Sequence, residues 1–390
     1  MSNDPIVITS IARTPMGGFQ GDLKTLSATD LGTAALKAAL ERSRLGSTDV
    51  SEVMMGNVLP AGLGQAPARQ AALGSGLDLS TPCTTISKVC GSGMKAAMLA
   101  HDLITVGSAD IIAAGGMESM TNAPYLVPKM RGGARLGHAE MLDHMFFDGL
   151  EDAYEKGRLM GTFAESCADH YHFGRDQQDG YALASLDRAL NAIEKGHFRN
   201  EITPVDTGKG VVDTDEQPGK ARPDKIPSLK PAFRKDGTVT AANSSSISDG
   251  GAALVLMRRS EAQKRGLTPL ATIRGHSSHA RAPEWFTTAP VGAITQLMEK
   301  IDWSAADVDL FEINEAFSVV PLAAMKELDI PHDKVNVHGG ACALGHPLGA
   351  SGARIIVTLL GAMQTYDLKR GVASLCIGGG EATAIALERE

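Results

Sequence analysis

The strongest constraint on this chain is that its second half repeats the plan of its first. Residues 90–119 (CGSGMKAAMLAHDLITVGSADIIAAGGMES) and 349–382 (GASGARIIVTLLGAMQTYDLKRGVASLCIGGGEA) run in parallel. Each has a small-residue turn, a Ser-Gly pair with a basic residue two places on (Lys95, Arg354), an apolar helix and a strand ending in Gly-Gly. Upstream of each, DVSEVMMGNVL (49–59) matches DVDLFEINEAF (307–317). Earlier still, the β-rich IVITSIA (6–12) leads to a helix over 29–44, where Leu31, Ala35, Leu36, Ala39 and Leu40 recur at helical spacing. Thr29 or Asp30 is read as its cap. That pair answers to LATIRGH (270–276) followed by APVGAITQLMEKI (289–301). Such a duplication predicts an α/β fold built from two copies of one unit, with a sheet buried on both faces. RQAALGSGL adds a short helix ahead of Cys90.

Between the copies, residues 120–268 break the pattern. Pro124, Pro128, RGGARLGH and HMFFDGL predict an irregular excursion over 121–150; 160–195 includes a long helical stretch, and 201–235 is polar and Pro-rich. A long insert of this kind is commonly a lid or binding loop, with a surface elaboration or an oligomer contact as the alternative.

Composition removes several function classes. At 390 residues the chain can bury a large core, with 43% hydrophobic and 21% charged residues. Aromatics are only 4%, too few for base-stacking platforms, and the net charge of −8 argues against a general nucleic-acid or membrane-surface binder. The five cysteines (Cys83, Cys90, Cys167, Cys342, Cys376) are odd in number with no C-x-x-C spacing, so neither a disulfide framework nor a zinc knuckle is read, and no metal ligands are assigned. MSNDPIVITS lacks the charged and apolar regions of a signal peptide, and the cytoplasm is the expected compartment.

The reactive residue types gather in small-residue turns. Cys90 stands just before a helix N-terminus, where amides and the dipole lower a thiol's pKa toward the nucleophilic thiolate. Gly91 and Gly93 leave its backbone free to bend. A buried core cysteine is the competing reading. His346 lies in GHPLG, biased by Pro347 toward an extended backbone. Asn314 in NEAF follows a strand and could serve as an amide donor to an oxyanion or merely as a turn former. Cys376 precedes IGGG, a turn whose N–H groups could face a ligand; lacking a following lysine it is no P-loop. In a duplicated sheet, loops at matching strand ends meet across the pseudo-symmetry axis, which would bring Cys90, His346 and Cys376 together.

VCGSGMKA, NEAF (314–317), GGACALGHPLGASG (339–352) and CIGGG (376–380), with GGMESMTNAPY (115–125) and KPAFRKDGTVTAANSSSISDG (230–250), resemble the signature blocks of the thiolase family, in order and over essentially the whole chain. The resemblance implies an α/β/α layered fold of two similar halves, 1–119 and 269–390. A loop domain (120–268) lies between them, with part of 240–268 returning to the first half. It implies condensation of two acetyl-CoA, and the reverse thiolysis, through an acyl group on Cys90. In that scheme His346 takes the thiol proton, and Cys376 removes a Cα proton from the second acyl-CoA. Asn314 holds a water that completes an enolate hole with His346, and the amides of Cys90 and Gly378 form a second oxyanion hole. Ser245 would meet the pantetheine, and Phe233, Met160 and Phe317 would line its tunnel or the acyl pocket. Lysines and arginines of 220–235 are candidates for the CoA phosphates. Coenzyme A enters as substrate, with no permanently bound cofactor, and a homo-oligomer (dimer or tetramer) is expected. The chain departs from the family pattern at Ser87, Leu159, Ser246, His338 and Cys342. Leu159 and Ser246 bear on acyl-chain length, so a longer 3-ketoacyl-CoA is the second choice to acetoacetyl-CoA. A cysteine hydrolase using Cys90 and His346, or a non-catalytic acyl binder, are the rivals.

Overall fold

The computed structural model describes residues 4–390. Nine strands carry the fold. Five belong to the first half: β1 (Ile6–Arg13), β2 (Glu52–Gly56), β3 (Cys83–Ile86), β4 (Ile111–Ser119) and β5 (Ser248–Arg258). Four belong to the second: β6 (Ala271–Ala280), β7 (Leu310–Ile313), β8 (Arg370–Ile377) and β9 (Glu381–Glu388). They form one sheet in the order β7-β8-β9-β6-β1-β5-β4-β2-β3, with Gly17–Gly18 paired alongside β5. The order is symmetric about the β1–β6 junction. In each half a parallel pair (β2 with β4, β7 with β8) is followed by antiparallel strands running back to the centre. Six of these strands answer to segments read above, and β5 lies in the part of 240–268 expected to return to the first half, though it was not read as a strand. The edge strand β3 and the closing strand β9 were not read, because CTTI is short and EATAIALE lacks the turn and helix that flag the other copies.

The helices are α1 (Ala28–Arg42), α2 (Pro67–Gly74), α3 (Ser92–Thr105), α4 (Met160–Tyr171), α5 (Arg175–Glu194), α6 (Glu216–Lys220), α7 (Arg259–Lys264), α8 (Ala289–Ile301), α9 (Val319–Leu328), α10 (Ala341–Leu344) and α11 (Leu348–Thr365). α1 is capped by Ser27, not by Thr29 or Asp30. Ser27 Oγ accepts the Asp30 N–H while Asp30 Oδ2 accepts the Ser27 N–H, a reciprocal box that needs a short hydroxyl one turn ahead of the acid. α3 and α11 pack on each other and touch strands of both halves, while α1 and α8 cover the outer faces. Sixteen of the 18 residues of α11 are buried, so that helix has no wet side.

The paired Ser-Gly motifs explain how the two copies meet. A Cβ at Gly93 would lie 2.7 Å from Ala353 N, and one at Gly352 would lie 2.3 Å from Met94 N. Only glycine lets the first turns of α3 and α11 approach backbone to backbone, and that contact sets the turns before both helices side by side. Within the span read as an insert, Ser248–Arg258 is a central strand of the first half, pairing with both β1 and β4. No helix of the described residues is long and apolar enough to cross a membrane.

Candidate active site

Cys90 is carried on a strained turn. Lys88 and Cys90 bridge, Gly91 N donates to Lys88 O, and Val89 between them adopts φ 45°. Left-handed backbone at a β-branched residue costs of order 1–3 kcal/mol and persists only where the surroundings enforce it. Here Ser92 Oγ accepts the Lys88 N–H at 2.8 Å and donates to Val89 O at 2.7 Å, clamping the turn from inside α3. The bend does not fall on the flanking Gly91 or Gly93: Gly91 sits in ordinary helical backbone, where its missing side chain makes room for Ile377 Cδ1, and Gly93 lies inside α3. Ile377 belongs to the strand bearing Cys376. Lys88 also pairs with Glu381, tying the two cysteine turns together a second time.

The expected acidified thiol is not what this geometry gives. Burial pushes Cys90 up to about 11; the N–H groups of Gly378 and of Cys90 itself bond the sulfur and pull the other way, and the nearby Glu118 carboxylate adds to the rise. Desolvation outweighs the two amides, so the resting group is a neutral thiol. Two backbone amides thus converge on the Cys90 sulfur, one from each half of the fold. Cys376 is wholly buried, and its thiol is pushed well above its ordinary value by burial and then by the neighbouring Cys90. The two sulfurs are thus close enough that ionising one opposes ionising the other.

His346 Nδ1 lies 2.5 Å from Ser351 Oγ, and Ser351 donates its only hydroxyl proton to Pro347 O at 2.9 Å. Nδ1 must therefore carry a proton, which leaves a lone pair on Nε2. Nε2 is buried and has no hydrogen-bond partner. Burial, and then the charge of Arg354, lower the imidazole to about 3, so it rests neutral and free to accept a proton. Arg354 is itself fully buried, paired with Glu312 at 2.9 Å and reaching Asn314 Oδ1 at 3.5 Å. That donor fixes which way the Asn314 amide points, leaving Nδ2 buried and unpartnered. Asn314 Nδ2 is thus an orphaned donor and His346 Nε2 an orphaned acceptor, each with room for a polar partner such as water or a ligand.

A cavity of about 380 Å³ opens onto His346, lined chiefly by Leu159, Met160, Phe233, Ser245, Ser246 and Phe317. All four residues expected to hold the acyl-CoA arm are on its wall. Cys90, Cys376 and Asn314 are not. Their link to it is Gly378, whose amide bonds the Cys90 sulfur and where a Cβ would lie 3.5 Å from Met160 Sδ. A second cavity of about 510 Å³ shares Ala241 and Ser246 with the first and carries Lys220, Arg222 and Lys225. Lys220 is already paired with Glu216 and Asp22, and Arg234 with Asp169. Among the described residues Arg222, Lys225, Lys230 and Lys235 have no ion pair, and of these only Arg222 and Lys225 line this cavity.

Two carboxylates that hold the site escaped the sequence reading. Glu118 accepts from Asn57 Nδ2 and from the N–H groups of Val58, Leu59 and Gly349, tying β4 to the first turn of α11. Glu315 accepts from Tyr181, Ser185, Asn336 and the Cys342 N–H, tying the insert to the loop that leads to His346. Their occurrence next to the glycines of GGMES and beside Asn314 was visible, but what they bond was not.

Family models for the thiolase N-terminal domain and the thiolase C-terminal domain match residues 6–260 and 267–389. The chain belongs to the thiolase family. It is 50% identical to acetyl-CoA acetyltransferase 1 of Arabidopsis thaliana, over 98% of this chain and 94% of that protein. It is 48% identical to the acetyl-CoA acetyltransferase of Schizosaccharomyces pombe, covering 100% of both, and 47% identical to that of Thiocystis violacea, covering 99% and 100%. Among solved structures it is similar to Acat5 thiolase from Ascaris suum in complex with coenzyme A, with a TM-score of 0.94 and 44% identity, over 99% of this chain and 100% of that one.

Proposed function

We propose that the chain is an acetyl-CoA C-acetyltransferase, joining two acetyl-CoA into acetoacetyl-CoA and CoA and running the reverse thiolysis. The observation that carries this is a pair of buried cysteines near enough for the charge of one to oppose ionisation of the other, linked through Gly378 and Met160 to the cavity onto which His346 opens with an unpartnered Nε2. A hydrolase would need only one of those sulfurs. Cys90 passes its proton to His346 Nε2 as the sulfur attacks the first thioester, and the carbonyl oxygen moves into the amides of Cys90 and Gly378. The C–S bond to CoA breaks, and the departing thiolate leaves as CoA-SH with the proton of Cys376. Cys376, now a thiolate, takes a Cα proton from the second acetyl-CoA, whose enolate oxygen is met by His346 and an Asn314-held water. The carbanion attacks the acyl group, Cys90 leaves, and the imidazolium returns its proton. Every proton is accounted for, and no step requires a free thiolate in the resting state.

Coenzyme A would lie with its pantetheine along Ser245 and Phe233 and its phosphates near Arg222 and Lys225. The apolar wall at Leu159, Leu150 and Phe146 favours a second reading, thiolysis of longer 3-ketoacyl-CoAs. Assembly into dimers or tetramers is supported by exposed apolar residues on the 121–150 arm, including Leu136 at 98% and Met141 at 67%. Sedimentation velocity tests it, and a monomer at micromolar concentration would overturn it. The function is tested by comparing thiolysis rates for acetoacetyl-CoA and C6–C10 3-ketoacyl-CoAs. Equal or faster turnover of the longer chains would replace the first reading with the second, and no CoA-dependent cleavage of either would defeat both.

A further inference from the structure

We propose that His101, Asp102 and His276 form a binding site for one divalent transition-metal ion of the zinc class. The three residues come from both halves: His101 and Asp102 from the last turn and a half of α3, His276 from the middle of β6. His276 Nε2 lies 2.8 Å from Asp102 Oδ1, and His101 Nδ1 lies 3.2 Å from the same oxygen. All three ligand atoms are within 4.8 Å of one another. Tetrahedral zinc with bonds near 2.0–2.1 Å requires ligand atoms roughly 3.3 Å apart. Two of the three edges are therefore within about half an ångström of that spacing, and the third is no longer than 4.8 Å.

The donor set is also the right kind. Two imidazoles and one carboxylate suit zinc, cobalt(II) or nickel(II) rather than magnesium or calcium, and three protein ligands leave a position for water. The rings meet edge to face, 5.2 Å apart at 86°, so both can turn a nitrogen to one point without clashing. The site is reachable, since the Asp102 side chain is 50% exposed while that of His276 is 11% exposed. It sits toward the C-terminal end of α3, where the helix dipole favours a cation. Lys300 is the nearby opposing charge, and its ammonium is held on the carbonyl oxygen of His276. Because α3 begins beside Cys90 and β6 belongs to the other half, an ion there ties the two copies together at the end remote from the catalytic turns.

The test uses tag-free, chelator-stripped protein titrated with Co²⁺ and Zn²⁺ at neutral pH. The expected result is one ion per chain, a cobalt spectrum without a thiolate-to-metal band, and a raised unfolding midpoint in saturating zinc. His276→Gln and Asp102→Asn should each weaken binding by at least about tenfold. His279→Gln, on the same strand but bonded to Gln296 and packed on α8, should bind as the parent. Asp102→Asn alters a half-exposed side chain and so remains informative if His276→Gln fails to fold. Binding by Asp102→Asn equal to the parent, no binding by the parent, or a thiolate band in the cobalt spectrum would overturn the proposal.

Discussion

The two halves differ most at one equivalent point. After β8 the chain turns through Gly378–Gly380, two of them at φ 92°, straight into its antiparallel partner β9. After β4, the matching strand of the first half, it leaves the sheet for residues 120–247 before returning as the antiparallel partner β5. One junction is a tight glycine turn that holds an amide against the Cys90 sulfur; the other supplies most of the cavity wall. The shared scaffold thus carries the proposed reacting groups, and the asymmetry carries the wall of the cavity proposed for acyl-CoA. The turns before α3 and α11 show the same division at smaller scale. Ser92 and Ser351 occupy matching places, and each donates back to the turn in front of its helix. Ser92 thereby clamps the strained backbone that carries Cys90, while Ser351 holds the His346 ring at Nδ1.

The comparison is broken hardest at the two cysteines. Cys90→Ala should lose about 10⁴-fold or more in turnover while still binding CoA, and acetyl-CoA should leave no mass increment on it. Cys376→Ala should lose turnover to a similar degree but still acquire the acetyl increment; if it fails to acylate, the halves do not have separate jobs. Asn314→Ala removes one oxyanion donor and should cost on the order of 10²–10³-fold in condensation with little change in KM. A smaller effect tests the resting thiol. With Cys90 at about 11, its thiolate fraction rises tenfold per pH unit below that value. Iodoacetamide labelling of the free enzyme should therefore keep climbing from pH 7 to 9.5, and a plateau near pH 7 would show an acidic thiol instead. Smallest of all, Leu159→His should shift the ratio of short- to long-chain thiolysis by about tenfold toward the short chain, at the wall of the insert alone.

Much of this was legible in the chain itself. The duplication fixed the fold class, because two copies of one strand-helix pattern have few ways to bury their apolar faces, and ordered turns of small residues around Cys90, Asn314, His346 and Cys376 named the candidate residues. Other features were not legible. That Val89 rather than Gly91 carries the bend depends on how Ser92 and Ile377 crowd the turn. A return of part of 240–268 to the first half was expected, but its place as the strand between β1 and β4 depends on pairings across a long excursion. The acidity of Cys90 was misjudged because a helix N-terminus can be read from sequence, whereas the water it has lost cannot. Residue identity and local spacing determined which groups this protein has to work with. Burial and long-range packing decided their protonation, their orientation and their neighbours, because desolvation and close backbone approach arise only between segments that the folded chain brings together.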